Sequence, residues 1–282
     1  MRISSQEMSE DDRATVQENR FSRTLIQIWA FVFKNWIIAI RNVFTLFEIL
    51  FWPVVGMFSV GLLTVFLDLE QEMAGFILVG VISMSVIQVC QIDVAYVLLY
   101  DVWSKSLKHT FIAPVQPWQL FLGSWLVGVF RSFIVFLILS VASSFAFRFD
   151  FLRPGPGPLG LFLLGLFLTA AFVGISVCIL VLLFGYKAEV AAWSLSSLMA
   201  LVCGIYYPVS ILPFPLPGIA SALPLTYFLE YFRSFYGFSG PHRAVLVWGF
   251  GLAGLYLVLE GFLFRAVLHR ARKTGILIKL SE

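Results

Sequence analysis

The sequence predicts an all-α protein that crosses a membrane several times. Hydrophobic residues make up 60% of its 282 residues, and charged residues only 12%. A soluble domain carries about a quarter charged residues. The mean hydropathy is +0.93, and the apolar runs are long enough for transmembrane helices, which need about 20 such residues. One polytopic membrane domain is therefore expected.

The apolar runs predict six transmembrane helices within residues 43–267. They are Val43–Phe66, Gly75–Tyr100, Leu120–Phe147, Leu159–Gly185, Ala191–Leu212 and Ala244–Val267. Five or seven spans are the alternatives, depending on how residues 21–42 and 211–243 are treated.

Both ends of the chain are polar. Residues 1–20 lack the apolar stretch of a secretory signal and are predicted to form a disordered cytoplasmic tail. Residues 268–282 carry Arg270, Arg272 and Lys273 and are predicted to form a basic cytoplasmic tail.

Residues 21–42 are predicted to form an interfacial helix. Arg23, Gln27, Lys34 and Arg41 recur at helical spacing, and tryptophan, phenylalanine and isoleucine fill the other positions. A helix with a cationic stripe and an apolar remainder lies in the membrane interface. The alternative is a seventh span, which would place Lys34 near the middle of the membrane.

The distribution of lysine and arginine predicts the orientation. With the N-terminus inside, most of these residues fall in cytoplasmic segments, whereas residues 67–74 have none and carry Asp68, Glu70 and Glu72. Both termini are therefore expected in the cytoplasm, and the expected location is a plasma membrane, the inner membrane of a bacterium.

The sequence argues against an enzyme. A phosphate-binding loop needs GxxxxGK[ST], and no glycine-rich loop precedes Gly185-Tyr186-Lys187. The three histidines fall in predicted loops or tails, and the three cysteines lie in apolar runs without a CxxC pair. We expect no catalytic residue, no metal site and no nucleic-acid partner.

Polar residues inside the predicted spans are candidates for a translocation route. They are Glu48, Gln88, Asp93, Arg131 and Glu260. Ionisable groups in a membrane usually face the protein interior. They could carry protons or line a substrate route, or they could join helices, for instance through a pair between Arg131 and Asp93.

Residues 100–114 are predicted to form a short amphipathic helix on the cytoplasmic side. Trp103, Leu107 and Phe111 recur at helical spacing, with Lys105 and Lys108 between them. This helix could rest on lipid headgroups or dock in a groove of a partner protein.

Residues 211–243 are predicted to lie at the outer face. Prolines break the fifth span because each removes a backbone donor, and an aromatic helix follows. The residues of interest are Pro208, Pro213, Pro224, Tyr227, Tyr231 and Arg233. The segment could be an aromatic belt at the interface, a re-entrant hairpin lining the exit, or both.

Two stretches resemble the ABC-2 family of ABC-transporter permeases, in its drug- and lipid-efflux branch. One runs from Tyr100 to Gly123 and is similar to the family's loop after the second span. The other contains Gly204-Ile-Tyr-Tyr-Pro208, Leu212-Pro213, Leu223-Pro-Leu-Thr-Tyr227 and Arg233. The chain departs from the family at Leu201-Val-Cys-Gly204 and in its more polar Gln88–Asp93 stretch.

The resemblance implies a homodimer bound to two ATPase subunits, which would hold ATP and magnesium. Residues 21–42 would be the elbow helix, and residues 211–243 the outward re-entrant helices. The coupling helix would present Trp103, Lys105, Leu107, Lys108 and Phe111 to the ATPase. Lipid, drug or glycan-like cargo would move outward. The alternative is a proton-coupled transporter using Asp93, Glu48 and Arg131.

Overall fold

The computed structural model describes residues 10–41, 43–112, 115–238 and 244–273. Helices dominate these residues, as predicted. The α-helices are α1 Glu10–Arg41, α2 Val43–Phe66, α3 Gln71–Trp103, α4 Leu107–Ile112, α5 Pro117–Phe147, α6 Pro156–Phe184, α7 Val190–Val202, α8 Leu216–Ala222, α9 Pro224–Ser234 and α10 Val245–Lys273. Short 3₁₀ turns at Gly185–Glu189 and Val209–Ile211 flank α7.

Helix α3 forms the centre of the bundle. It is 33 residues long, and most of its side chains are buried. Small residues let its neighbours approach closely: a Cβ added at Gly128 of α5 would lie 2.8 Å from the Cys90 carbonyl oxygen, and one added at Gly174 of α6 would meet Val94 at 2.6 Å. Small residues at helix contacts are typical of membrane proteins. The three cysteines are buried in this bundle, as the apolar runs around them predict.

Several helices have a proline in their first turn. Pro117, Pro156 and Pro224 occupy the first turns of α5, α6 and α9, where a missing amide donor costs little. At the start of α5, the Gln116 amide also donates to Oε1 of Gln119 at 2.8 Å.

Within the described residues, six helices are long and apolar enough to cross a membrane, but they are not the same six as predicted. Ser22–Arg41 is among them by length and composition. The predicted span Ala191–Leu212 is not, because α7 has 13 residues and is therefore about 20 Å long, against about 30 Å of hydrocarbon. Gly204 has φ 73°, and Pro208 begins the next turn, so the helix ends there. The prediction of a continuous fifth span is wrong.

The predicted N-terminal tail is wrong in part as well. Helix α1 begins at Glu10, so residues 10–20 are helical rather than disordered. Residues 1–9 lie outside the described part, and the interfacial placement of residues 21–42 remains a prediction.

The C-terminal helix is longer than predicted. Helix α10 continues through Lys273, and its Leu268 and Ala271 are buried. The predicted basic tail, residues 268–282, is therefore helical over its first residues, and residues 274–282 lie outside the described part.

Candidate functional site

A polar pocket lies among α2, α3, α5 and α7. Asp93 of α3 and Arg131 of α5 form a salt bridge between Oδ1 and Nη1. The structure thus contains the pairing of Arg131 with Asp93, which was one of the three interpretations left open by the sequence. The neighbouring cavity has a volume of about 80 Å³, and Gln88, Trp52 and Trp193 contribute to its wall.

The salt bridge leaves several polar atoms without partners. Oδ2 of Asp93 and both Nε and Nη2 of Arg131 are buried and have no hydrogen-bond partner among the described residues. Buried polar groups in native proteins are nearly always paired. These groups therefore need a partner that the protein does not supply, such as a water molecule or a ligand in the neighbouring cavity.

The other predicted intramembrane residues do not all join this pocket. Gln88 lines it. Glu260 is buried on α10 and accepts a hydrogen bond from the Ser176 hydroxyl of α6. The side chain of Glu48 lies outside the described part. The structure thus brings together Gln88, Asp93 and Arg131 and separates Glu260 from them.

A larger groove of about 510 Å³ lies among α5, α6 and α10. Its walls are mainly apolar side chains such as Trp118, Phe121, Leu122 and Phe262, with Arg265 at one place. Among the described residues that line this groove, Arg265 has no acidic residue beside it on the wall, so the groove contains no ion pair like that of Asp93 and Arg131. Acyl chains of the bilayer suit such a surface, so the smaller polar pocket is the better candidate for recognition.

The end of α3 next to α4 is organised by Asp101. Its buried carboxylate accepts hydrogen bonds from Lys34 Nζ of α1 at 2.6 Å, the Ser106 hydroxyl at 3.2 Å and the Thr110 hydroxyl of α4 at 2.7 Å. Three helices are therefore joined at one side chain. Gln27 and Gln119 connect α1 to α5 nearby at 2.6 Å. The sequence analysis did not propose Asp101 as a functional residue. The feature that could have indicated it is an acidic residue within the predicted amphipathic segment, residues 100–114.

The predicted helix over residues 100–114 needs a correction, because α3 ends at Trp103, a turn with Lys105 at φ 56° follows, and α4 begins only at Leu107. Leu107 is fully buried in the core of this chain, and Phe111 is half-buried. Leu107 packs in a cluster with Val102 and Leu120, so an acid at this position would disturb folding rather than docking. The exposed residues are Trp103, Lys105, Lys108, His109 and Ile112. Helical spacing alone did not distinguish the side that packs on α3 from the side that faces outward.

At the other end of α3, Arg233 of α9 is buried. Its Nη1 donates to the Gly204 carbonyl at 2.6 Å, and its Nη2 donates to the carbonyls of Ile205 at 2.7 Å and Phe76 at 3.0 Å. Its guanidinium also lies 3.5 Å from the centre of the Phe76 ring. One side chain therefore fixes α9 to α3 and to the irregular chain after α7.

The segment predicted to lie at the outer face contains two short helices, α8 and α9. Pro208 and Pro213 flank the 3₁₀ turn before them. Tyr227 donates to the Ser221 carbonyl at 2.7 Å, and the Tyr231 ring packs edge-on against Phe235.

The aromatic residues of α9 are not all on a surface belt. Phe228 and Phe232 are fully buried, and Phe232 stacks on Phe162 of α6 at 4.1 Å. Tyr236 donates to the Asp150 carbonyl at 2.8 Å. Burial raises the pKa of Tyr236 above its usual range, and the Asp150 carboxylate adds to that effect. Packing against the bundle therefore explains part of the aromatic pattern.

Comparison with known families identifies the architecture. Residues 26–236 match the model of the ABC-2 type transporter membrane family, so the chain belongs to that family. It is a multi-pass membrane protein and a permease component of the ABC-2 type, the part of such a transporter that spans the membrane. An uncharacterized protein of Archaeoglobus fulgidus is 44% identical over 50 residues, which are 18% of this chain and 78% of that protein.

Proposed function

We propose that this chain is the permease subunit of an exporter driven by a separate ATPase. The observation that carries the proposal is the exposed face of α4, held at the end of the central helix by Asp101. Members of the family generally work with an ABC ATPase. A permease without a nucleotide site needs such a surface, because the partner's movement must reach the membrane helices.

The exposed face of α4, taken together with the end of α3 and the turn that joins them, combines apolar side chains with cationic groups. Ile112 is 79% exposed and Trp103 is 43% exposed, and Lys105, Lys108 and His109 are exposed beside them. Burying one large apolar side chain contributes about 1.5–3 kcal/mol. A groove with an apolar floor and an acidic rim on the ATPase fits these residues.

Movement at α4 has a short path to the polar pocket. Asp101 and Asp93 lie on the same helix, eight positions apart, which corresponds to about 12 Å along the axis. Asp101 also holds Lys34 of α1. A push on α4 therefore acts on α1 and α3 together, and α3 lines the pocket where we propose that cargo passes.

The proposed assembly is a homodimer with two ATPase subunits, which bind ATP and magnesium. It lies in the plasma membrane with both termini in the cytoplasm. The proposed cargo is an amphipathic lipid, drug or glycan-like molecule that moves outward. The mainly apolar walls and the small polar centre of the pocket favour an amphipath.

A proton-coupled secondary transporter is the second candidate, and the ion pair weighs against it. A proton carrier must gain and lose its charge during the cycle. Asp93 is held in a salt bridge with Arg131 of the neighbouring helix, so pairing between helices accounts for both residues without a proton relay. Glu260 is not part of such a relay with Asp93, because it lies on α10 and accepts a hydrogen bond from the Ser176 hydroxyl instead.

Reconstitution distinguishes the two candidates. The permease is co-purified in mild detergent, its bound ATPase is identified by mass spectrometry, and the complex is placed in liposomes. We expect outward movement of a fluorescent lipid analogue that requires ATP and continues when an ionophore collapses the proton gradient. Transport that needs the gradient but no ATP would support the secondary transporter.

A further inference from the structure

The polar pocket has features that restrict the chemistry of its ligand. We propose that it binds the uncharged, hydroxyl-bearing headgroup of an amphipath, with the apolar tail extending toward lipid. The identification of this amphipath as the transported cargo rests on the proposed function, whereas its binding in the pocket does not depend on that function.

The charges of the pocket cancel. Among the described residues that line it, Asp93 and Arg131 carry formal charge, and they are paired with each other. A charged headgroup entering a partly buried site loses hydration, and that cost must be offset by an opposite charge. This wall offers no net charge of either sign, so an uncharged headgroup is favoured over an anion or a cation.

The unpartnered atoms of the pocket fit a ligand that both donates and accepts hydrogen bonds. Nε and Nη2 of Arg131 are donors, and Oδ2 of Asp93 is an acceptor. A hydroxyl can donate to the carboxylate and accept from the guanidinium at the same time. Neighbouring hydroxyls on one headgroup therefore satisfy both residues while the ion pair stays intact.

Size and shape favour a headgroup rather than a whole lipid. A cavity of about 80 Å³ holds several water-sized groups. Trp52 and Trp193 lie on its wall and are exposed, so they extend the pocket as flat amphipathic surfaces. The side of α2 beside Trp52 is apolar and exposed, including Phe51, and gives the tail a path to lipid.

A competition experiment on the purified full chain in lipid nanodiscs tests the binding. A photoreactive octyl glucoside labels the protein, and unlabelled octyl glucoside, octyl sulfate and octyltrimethylammonium compete at equal chain length. We expect half-maximal protection at about tenfold lower concentration of the glucoside than of either charged competitor, a difference of about 1.4 kcal/mol. Equal protection by all three, or better protection by a charged one, would overturn the proposal.

Two variants locate the binding. The pair Asp93→Leu with Arg131→Met removes donors and acceptor without leaving an unpaired charge, and such replacements are often neutral for folding. Trp52→Ala removes an exposed part of the wall, and Trp248→Ala, also exposed but on α10, is the matched control. We expect at least tenfold weaker labelling in the first two and unchanged labelling in the control. Unchanged labelling in all three would contradict the assignment.

The experiments test headgroup binding and the proposed function independently, so either one can be refuted without the other. Glucoside labelling is measured on the permease alone, so it reports on the pocket whether or not an ATPase is present. Co-purification of an ATPase reports on the proposed function whether or not the glucoside binds.

Discussion

The two ends of α3 are held by different chemistry. At one end, Asp101 accepts from Lys34, Ser106 and Thr110, all of them through side chains. At the other end, Arg233 donates to three main-chain carbonyls and stacks on Phe76. Side-chain bonds can break and form again as helices shift, whereas bonds to main-chain carbonyls fix the backbone itself.

This difference suggests that the two ends have different tasks. The Asp101 end lies beside the exposed face of α4, where a moving partner would act. The Arg233 end holds the irregular chain that follows α7. The main-chain carbonyls there have no helical partner and need another donor. In the proposed mechanism, the first end transmits a movement, whereas the second keeps an irregular backbone in place.

The largest loss of stability is expected at Arg233. Arg233→Met would leave the carbonyls of Gly204, Ile205 and Phe76 without this donor, and each buried unsatisfied group costs about 1–3 kcal/mol. We expect a clearly lower unfolding temperature by tryptophan fluorescence in detergent. Arg153→Met, at an exposed position, is the control. Equal unfolding temperatures would show that Arg233 is not a structural anchor.

A smaller loss of stability, with a larger loss of coupling, is expected at Asp101. Asp101→Asn keeps an acceptor for Thr110 but removes the charge that Lys34 contacts at 2.6 Å. In a double-mutant cycle with Lys34→Met, the two changes should be coupled by about 1–2 kcal/mol. Transport per ATP hydrolysed in liposomes should fall in both single variants. Additive effects on stability together with normal transport would contradict a role in transmission.

No loss of stability is expected from labelling variants that test the orientation. Ser234 is exposed at the end of α9, and His109 is exposed on α4. On a background without the native cysteines, Ser234→Cys should react with an impermeant thiol reagent from outside the cell. His109→Cys should react only after the membrane is opened. The reverse pattern would overturn the predicted topology.

The sequence predicted the bundle better than its interruptions. Apolar runs of more than 20 residues specify helices such as α3 and α5 regardless of their neighbours. The end of α7 depends on Gly204, Pro208 and the donors of Arg233, which are far apart in sequence. Hydropathy averages over such residues, so the predicted span continued to Leu212.

The candidate site shows the same division. Asp93 and Arg131 were recognisable because charges inside apolar runs are rare, and Gln88 lies close to Asp93 in sequence. The isolation of Glu260 could not be predicted, because it depends on which face of α10 meets Ser176. The single helix predicted over residues 100–114 was wrong because the chain turns between Trp103 and Leu107, and the assignment of Leu107 to the docking face was wrong because Leu107 is buried.

The proposed function depends most directly on whether an ATPase docks at α4. Ile112→Asp places a charge in the apolar centre of the exposed face, and Ile211→Asp makes the same change at a 70% exposed position in the outward segment. Neither side chain is part of the core, so both variants should be expressed and should unfold like the parent protein.

The measurement is the amount of ATPase that co-purifies with each variant in mild detergent, quantified by mass spectrometry. We expect Ile112→Asp to weaken association about a hundredfold, which corresponds to about 3 kcal/mol, because the carboxylate must be desolvated in the partner's groove. Ile211→Asp should retain the parental amount. Equal ATPase recovery with both variants would contradict docking at α4, and the account of an ATP-driven permease coupled through this helix would fail.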